Sequence, residues 1–400
     1  MTRFEHLKLA VGIGPKMVPV GPQSIERHQS LSLIDGIKST RNKNLPVEYL
    51  NSRYVWFGED NLYPQRLNDL YETVSLHAAI IDFKKLMIAG QGYEISQTSM
   101  TAMDKVTLAG IENSIMDDTT LQEFVNDITM DYLIHATVYI KLHWNADKTR
   151  LIGLERIEPS KIRVGYDLKT PEKPNKFFYC FDWRDTFRFP VREYHPKDPK
   201  SPHTTEIWRI MKRSPSCLFN TVPAYASAVT WLDLESRIPI FHLANIEQSV
   251  NPSKIINFYS KPANDEARRE IVRNIDNSFA GEEKTGKIWV FFSDGRELAP
   301  DIKSIEPTNL DKQFKETAAE GRRNICHAHN INPVIMGLKE AGSMGNPQEL
   351  MNAYEIFKTN IIEPARYDIE VIINKIIKWH GLGVNFKLKN VELFENIKNN

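Results

Sequence analysis

Cysteine and net charge are both scarce in this 400-residue chain. Its three cysteines, Cys180, Cys217 and Cys326, are too few and too widely spaced for a disulfide framework, and they predict folding in a reducing cytoplasm. Lys plus Arg and Asp plus Glu number 51 each, so the formal net charge is zero. Because proteins that grip nucleic acid usually carry a basic excess, any DNA partner is expected to slide past rather than be held.

Long apolar runs are also missing. No stretch reaches the roughly 18 uninterrupted apolar residues that suggest a membrane span, and the first residues lack the apolar core of a signal peptide. The chain is 41% hydrophobic and 26% charged, which is ordinary for a globular protein. The length suffices for two or three lobes with cores of their own.

Motifs of enzyme sites are absent or incomplete. Gly281, Gly286 and Lys287 partly match a phosphate-binding loop, but Ile288 stands where magnesium binding needs Ser or Thr. A helix precedes these glycines and a strand follows, the reverse of the order that the motif needs, so we predict a simple turn. No nucleophile elbow, HExxH or dinucleotide fingerprint occurs.

No metal or cofactor site is predicted. Cys326, His327 and His329 match no common zinc spacing, and we interpret them as a polar helix end. The acidic pair Asp117 and Asp118 has no second acidic cluster on a recognisable strand, so a solvated loop is favoured over a nuclease site.

The first half of the chain predicts an α+β lobe. Residues 1–45 show no clear periodicity and are expected to be an arm. Apolar residues at three- and four-residue steps predict a helix from Ser75 that ends at Gly90 and Gly92, and a second helix over 121–134. From Thr137 the period changes to two, which predicts an antiparallel meander covered by helices.

A helix with two apolar faces follows Pro223. One stripe combines Trp231, Leu234, Ile238 and Phe241, and the other includes Leu243 and Ile246. Such a helix must be covered on two sides, by a core or by two neighbouring subunits. Pro239 is expected to kink or divide it.

The remainder predicts a small strand-helix-strand-strand unit, a polar helix, a loop and a long helix with a kink at Pro364. The polar helix alternates acidic residues with Lys312, Lys315, Arg322 and Arg323. That pattern fits a solvated, ion-paired face and a channel lining equally well. Lys339, flanked by glycines in the loop, is the better candidate to touch DNA, with an ordinary exposed lysine as the alternative.

This order of pieces resembles the portal proteins of tailed bacteriophages, particularly the compact HK97-like and SPP1-like portals. The resemblance spans roughly residues 54–380 and is carried by the phrases HLANIEQSVNPSKIINF, FAGEEKTGKIWVFF, ICHAHNINPVIMGL and IIEPARYDIEVIINKI. In the first half, FGEDNLYPQRLNDLYETVSLHAAIIDFKK and ERIEPSKIRV resemble parts of the portal wing. Pro239 and the short C-terminus depart from the family pattern.

The resemblance implies a portal fold with an α/β wing, a helical stem, a small α/β clip and a long kinked C-terminal helix. The implied divisions are an arm (1–45), the wing (46–222), stem helix 1 (223–250), the clip (251–308), stem helix 2 (309–330), the tunnel loop (331–347), the long wing- or crown-side helix (348–380) and a tail (381–400).

The resemblance also implies a function without catalysis. Portals form a ring of about twelve copies at one vertex of the capsid, set in the shell of major capsid protein. Double-stranded DNA enters and leaves through the ring. The terminase large subunit docks on the clip during packaging and the head-tail adaptor replaces it afterwards. The alternatives are another virion component, such as an adaptor or tail protein, or a nucleic-acid-processing enzyme.

Three sets of site residues follow from the resemblance. The channel and tunnel-loop set is Lys339, Glu340, Ser343, Lys312, Lys315, Arg322 and Arg323. The ring-interface set is Trp231, Leu234, Ile238, Phe241, Leu243 and Ile246. The clip docking set is Ile271, Ile275, Trp289 and Phe291. Periodicity leaves open which stem face looks into the channel.

Overall fold

Two units make up the fold of this computed structural model. It describes residues 46–50, 53–96, 110–116, 119–167, 173–215, 217–248, 254–259, 262, 264–279, 288–293, 310–338 and 347–390. The first unit combines described residues up to Tyr63 with Lys161–Glu193 and Ser214–Asn220. The second combines Pro64–Ser160, Tyr194–Arg213 and the described residues from Thr221 onward.

The described residues form strands and helices in a mixed order, which agrees with the predicted α+β class. In chain order they are β1 (Glu48–Leu50), β2 (Val55–Phe57), α1 (Tyr63–Thr73), α2 (Ser75–Ala89), β3 (Tyr93–Ser96), α3 (Leu121–His135), β4 (Thr137–Trp144), β5 (Leu151–Ile157), β6 (Ile162–Val164), β7 (Phe177–Tyr179), β8 (Arg192–Pro196), β9 (Thr205–Met211), α4 (Val229–Gln248), β10 (Lys254–Phe258), α5 (Asp265–Phe279), β11 (Ile288–Phe292), α6 (Leu310–Ala328), α7 (Pro347–Phe357), α8 (Glu363–Trp379) and β12 (Asn385–Leu388).

The first unit is built on two antiparallel strand pairs, β1 with β2 and β6 with β7. Its apolar core consists of Phe178, Cys180 and Trp183, with Tyr54, Leu62, Phe189 and Val191 packed against them. Arg163 is 1% exposed within this unit. Its guanidinium donates to both oxygens of Asn61 and lies over the Trp183 ring, 4.8 Å from the centroid. These contacts compensate a cation that would otherwise be costly to bury.

Four neighbouring strands, in the order β5-β4-β9-β8, organise the second unit. Strand β4 pairs antiparallel with its chain neighbour β5, as a meander predicts, and also antiparallel with β9, which a meander in chain order does not predict. The end of β8 pairs with β9 in parallel, through His195 and Pro196, so the predicted antiparallel meander is wrong for that pair. Lys148, in the turn after β4, donates from its ammonium to the carbonyls of Asp198 and Ser201. These bonds hold that turn against the segment that connects β8 to β9.

Helices of the second unit pack around that sheet. Helix α3 begins at a capping box, in which Thr120 and Glu123 satisfy each other's backbone N–H groups, and it packs on β4 and on α2. Helix α8 contacts α2, α3 and β12, and β12 pairs antiparallel with β3. Helix α1, ahead of α2, was not predicted. None of the described helices combines the length and the apolar content that a bilayer crossing requires.

Both predicted proline effects can be followed in the helices. Helix α4 runs without interruption through Pro239, so its division in two does not occur. Five π-helical residues, Lys358–Ile362, stand between α7 and α8, directly before Pro364. A π segment widens the turn and leaves room for a residue that has no backbone N–H.

The smallest substructure is a β-α-β unit, in which β10 and β11 pair in parallel with α5 between them in sequence. This arrangement agrees with the predicted strand, helix and strand. The predicted third strand, at residues 301–308, and the partial phosphate-loop motif at 281–287 lie outside the described residues. So do the arm at 1–45 and the acidic pair Asp117 and Asp118.

Candidate assembly surfaces

Helix α4 presents apolar side chains to solvent on two opposite sides. Leu234 is 36% exposed and Phe241 44%, while Ile240 is 66% and Leu243 56% exposed. At about 100° per residue, Leu234 and Phe241 lie on one side of the helix, and Ile240 and Leu243 lie roughly opposite. Large apolar side chains uncovered on both sides of one helix are typical of an assembly surface.

The same helix is covered near its beginning. Val229 and Leu232 are 3% and 0% exposed. Trp231 lies against α6, where a Cβ atom added to Gly321 would be 3.3 Å from Trp231 Cε3. Arg322 of α6 donates to Glu235 of α4 at 3.2 Å. The chain's own residues therefore cover the N-terminal part of α4 and leave the part beyond Leu234 open.

The predicted ring-interface residues share this helix but differ in exposure. Leu234, Phe241 and Leu243 are exposed, whereas Trp231 and Ile238 are half-buried. The side chain of Ile246 lies outside the described residues.

Helix α6 exposes charges of both signs. Lys315, Glu316, Glu320 and Arg323 are exposed. Arg322 is exposed and paired with Glu235, which favours the ion-paired reading at that one position. The side chain of Lys312 is outside the described residues, as are Lys339, Glu340 and Ser343 of the loop.

The loop after α6 begins in a defined way. Asn332 caps a short 3₁₀ helix, Pro333–Met336, by accepting from the Val334 N–H. Gly337 then adopts φ of 72°, a left-handed conformation that suits glycine. The described residues thus end in a turn that starts the predicted glycine-rich loop.

Helix α5 carries a basic stripe that the prediction missed. Asp265, Arg268, Arg269, Val272 and Arg273 line an open groove on one side of the helix. The stripe could have been found from its spacing, because residues three, four, seven and eight apart share a helix face. Of the predicted clip docking residues, Ile271 is half-buried. The side chains of Ile275, Trp289 and Phe291 are not among those described.

A buried polar cluster joins α2 to the end of α6. His77 Nδ1 lies 2.9 Å from His329 Nε2, and Lys84 Nζ donates to the His329 carbonyl at 2.7 Å. Tyr225 packs against both imidazole rings and donates to the Ile134 carbonyl. His77, Lys84 and His329 are 0%, 6% and 2% exposed. We call these four side chains the Lys84 cluster.

Burial sets the charges of the Lys84 cluster. Desolvation, reinforced by the nearby Lys84 ammonium, lowers the pKa of His77 to about 3 and that of His329 to about 2. Desolvation also lowers the pKa of Lys84 to about 8, with a smaller contribution from Lys212. Both imidazoles are therefore neutral at pH 7, and Lys84 carries the charge.

Residues 326–329 lie at the end of α6, which finishes at Ala328 as predicted, but two of the three residues named there are buried. Cys326 is 0% and His329 2% exposed, while His327 is exposed. The partners of His329 come from more than two hundred residues away, so no local pattern announced them. Among the described residues, no group of three or more His, Cys, Asp or Glu side chains is arranged to hold a metal ion.

The fold is similar to that of proteins in gene transfer agent (GTA) particles. One, from the neck of an empty particle computed with C6 symmetry, has a TM-score of 0.57 and 13% identity, covering 86% of this chain and 87% of that chain. Another, from the neck of a native particle computed with C12 symmetry, has a TM-score of 0.54 and 14% identity, covering 92% of both chains.

An HK97-family phage portal protein from Corynebacterium diphtheriae has a TM-score of 0.42 and 14% identity, covering 80% of this chain and 94% of that chain, a likeness too loose to argue from. No curated protein matches the chain. The model of the phage portal protein family matches residues 93–400.

Proposed function

This chain belongs to the phage portal protein family, and we propose from that premise that it is one subunit of a closed ring whose channel passes double-stranded DNA. Portal proteins are structural parts of the virion, so the chain is a virion component and not an enzyme. Membership sets aside the alternatives of a tail protein, an adaptor or a nucleic-acid-processing enzyme.

The two uncovered apolar faces of α4 carry the ring proposal. Leu234 and Phe241 on one side, and Ile240 and Leu243 on the other, are exposed in a single chain. In a ring each subunit meets a neighbour on both sides, through a heterologous contact that closes on itself. Both faces would then be covered, and the apolar area would leave water.

Twelve is the copy number that we propose. A protein of similar fold lies in a GTA neck computed with C12 symmetry, and another in one computed with C6 symmetry. A twelvefold ring satisfies both, because every sixfold rotation is also a rotation of a twelvefold ring. The assembly would occupy one vertex of the capsid, in contact with the major capsid protein.

The portal divisions are assigned to this chain by analogy. Residues 1–45 would be an arm, 46–222 the wing, 223–250 and 309–330 the two stem helices, 251–308 the clip and 331–347 the tunnel loop. Residues 348–380 would be the long wing- or crown-side helix and 381–400 the tail. The order of α4, the β-α-β unit and α6 supports the stem and clip assignments.

A balanced charge suits a channel through which DNA slides. Each uncompensated cation adds to the attraction for phosphates, and a strongly basic lining would trap the duplex. Exposed Lys315 and Arg323 on α6 are interleaved with Glu316 and Glu320. Lys312 and Arg322 would share this lining, and the loop residues Lys339, Glu340 and Ser343 would approach the duplex.

The clip would be the docking site for the terminase large subunit and then for the head-tail adaptor. Ile271, Ile275, Trp289 and Phe291 are proposed as apolar contacts. The groove lined by Arg268, Arg269 and Arg273 would add a basic rim that favours an acidic segment of the partner.

Native mass and negative-stain images of the purified protein test the ring. We expect rings with an open channel and a mass near twelve subunits. Replacing Ile240, 66% exposed, by Asp should prevent rings, because a charge would be buried at the subunit contact. Ile152→Asp is the control, since Ile152 is similarly exposed, at 58%, but belongs to β5 and not to α4. If Ile240→Asp still forms rings, α4 is not part of the subunit interface.

A further inference from the structure

The Lys84 cluster stands where α6 ends and the loop toward Gly337 begins. His77 and Lys84 are seven residues apart on α2, which places them on one side of the helix. His329 directly follows α6, and Tyr225 belongs to the 3₁₀ helix Ala224–Ala228 that leads into α4. Both helices proposed for the stem are thus joined to α2 at this point.

Hydrogen-bond partners assign the protons of the cluster. The Lys84 ammonium is a donor only, and it lies 3.4 Å from His329 Nδ1 as well as 2.7 Å from the His329 carbonyl. His329 Nδ1 therefore accepts, and Nε2 carries the proton and donates to His77 Nδ1. The proton of His77 then resides on Nε2, a buried atom for which the described residues offer no hydrogen-bond partner.

With the protons assigned in this way, neither histidine can take up another proton without bringing two hydrogen-bond donors together. A protonated His77 would direct an N–H group at the N–H of His329, and a protonated His329 would direct one at the Lys84 ammonium. Within the described residues no carboxylate pairs with Lys84, so the cluster contains one buried cation without a counter-ion. Burying such a charge costs free energy, because the ammonium loses its hydration without gaining a counter-ion.

The Lys84 ammonium is nevertheless well placed to hold α6. The last carbonyls of a helix lack intrahelical partners and carry the negative end of the helix dipole, so a cation there is favourable. Lys84 supplies a donor there from another helix, and above its pKa of about 8 the neutral amine can still donate to the same carbonyl without the cost of a buried charge. Its hydrogen bond fixes the residue that precedes Asn330 and Ile331, where the chain leaves α6.

We propose that Lys84, His329 and His77 form a proton-controlled latch, which holds the end of α6 on α2 and is loosened by each proton that the cluster takes up. The latch positions the beginning of the loop that follows. The part of this inference that concerns the channel rests on the proposed function, because residues 331–347 are there assigned to the tunnel loop.

Charged groups on the helices that pack against α2 have partners of their own. On α3, Asp131 pairs with Arg156, and His135 bonds Asn68. On α8, Arg366 donates to the Leu388 carbonyl. The charge of Lys212, after β9, lowers the pKa of Lys84, and Lys212 is itself paired with Asp368 of α8 at 3.5 Å. Tyr225 contributes its ring to the cluster and its hydroxyl to Ile134.

The direction of the pH effect follows from linkage. When the end of α6 opens, Lys84 reaches water, where the pKa of lysine is about 10.4. In the closed latch it is about 8. Between these values the open state holds more protons than the closed state, so a rising pH favours closure. Below pH 6.5 the histidines of the open state also take up protons, so a falling pH favours opening there as well.

Hydrogen–deuterium exchange of peptides covering residues 323–331 in the full-length protein tests the latch. All variants are made in a Cys326→Ala background, because burial raises the pKa of the Cys326 thiol to about 11 and its loss of a proton on opening would oppose the effect of Lys84. After correction for the intrinsic exchange rate, protection of the Cys326→Ala protein should grow by up to about tenfold per pH unit between pH 8 and 10. Lys84→Met should abolish this growth, because no group in the cluster then titrates in that range.

Lys85→Met is the matched control. Lys85 is the next residue of α2, 34% exposed and paired with Asp82 at 3.1 Å, so its loss should leave the growth intact. If Lys84→Met does not fold, Lys84→Gln keeps a donor without the charge and should also lack the growth. A flat profile in the Cys326→Ala protein, or growth retained without Lys84, would overturn the latch. Exchange needs neither rings nor DNA, so failure of the proposed function would be seen separately.

Discussion

Arg156 and Asp131 form a two-pronged ion pair between β5 and α3. Arg156 Nε donates to Asp131 Oδ2 at 2.7 Å, and Nη2 donates to Oδ1 at 2.6 Å. The Asp131 side chain is 3% exposed and that of Arg156 is 31% exposed. The pair therefore joins helix to sheet at a place where one charge is buried and the other still reaches water.

Replacing Asp131 by Asn should lower the free energy of unfolding by about 3 kcal/mol, because the guanidinium would lose its buried partner. The lower end of the usual range is expected, since Arg156 can turn toward solvent. Equilibrium urea unfolding at one fixed protein concentration measures the change. Asp127→Asn is the control: Asp127 lies 3.9 Å from the same guanidinium but is 52% exposed. Equal effects of the two variants would contradict this reading of the pair.

Acid should destabilise the protein through His77 and His329. Burial lowers the pKa of both, to about 3 and about 2, so the unfolded chain takes up protons first as the pH falls below 6.5. Each histidine should remove about 2 kcal/mol of stability between pH 7 and pH 5. Urea unfolding at the two pH values measures this, and in His77→Gln the difference in stability between the two pH values should be smaller than in the wild type by about 2 kcal/mol.

His327→Gln serves as the control for the acid effect, because His327 is exposed on the same helix as Cys326. It should leave the difference between pH 7 and pH 5 unchanged. If His77→Gln loses as much stability between pH 7 and pH 5 as the wild type does, the acid effect does not arise from the Lys84 cluster.

Gly58 and Gly337 form a matched pair for the cost of a side chain. Both have positive φ, at 85° and 72°. A Cβ atom on Gly58 would lie 2.9 Å from Tyr63 Cβ, whereas one on Gly337 would meet no atom of the described residues within 4 Å. Gly337→Ala should cost about 1–2 kcal/mol for the conformation alone, and Gly58→Ala distinctly more. Thermal unfolding of the two variants compares them; a larger loss for Gly337→Ala would be unexpected.

Deleting Leu338 to Gly345 should leave rings intact and impair DNA packaging or retention. The loop begins beyond the ordered turn at Pro333–Met336, so its removal spares the contacts of α6. Electron microscopy would count the rings, and phage yield and packaged DNA would report the function. Normal yield from the deletion would contradict a role of this loop in the channel.

Much of the secondary structure could be predicted from local sequence patterns. The apolar steps of α2 and α3, the alternation of β4 and the stripes of α4 depend on residues close in sequence, and each element appears where the pattern predicts it. Helix α1 was missed. The π-helical turn before Pro364 was expected only as a kink, because a proline reveals the missing N–H but not how the chain accommodates it.

Contacts between distant segments could not be predicted. Asp131 and Arg156 look like ordinary surface charges until α3 packs beside β5. His77 and His329 are 252 residues apart, and the sequence around either histidine gives no indication that it contacts the other. The parallel pairing of β8 with β9 depends likewise on how the loop between them turns.

Sequence by itself determined the helices and strands, the balanced charge and the family resemblance, because all of these are written in local order and composition. Tertiary structure decided which faces of α4 stay uncovered, which carboxylate is buried against Arg156, and that Lys84 and two histidines share one enclosed site. Burial and electrostatic interaction depend on distances through space, and those exist only once the chain has folded.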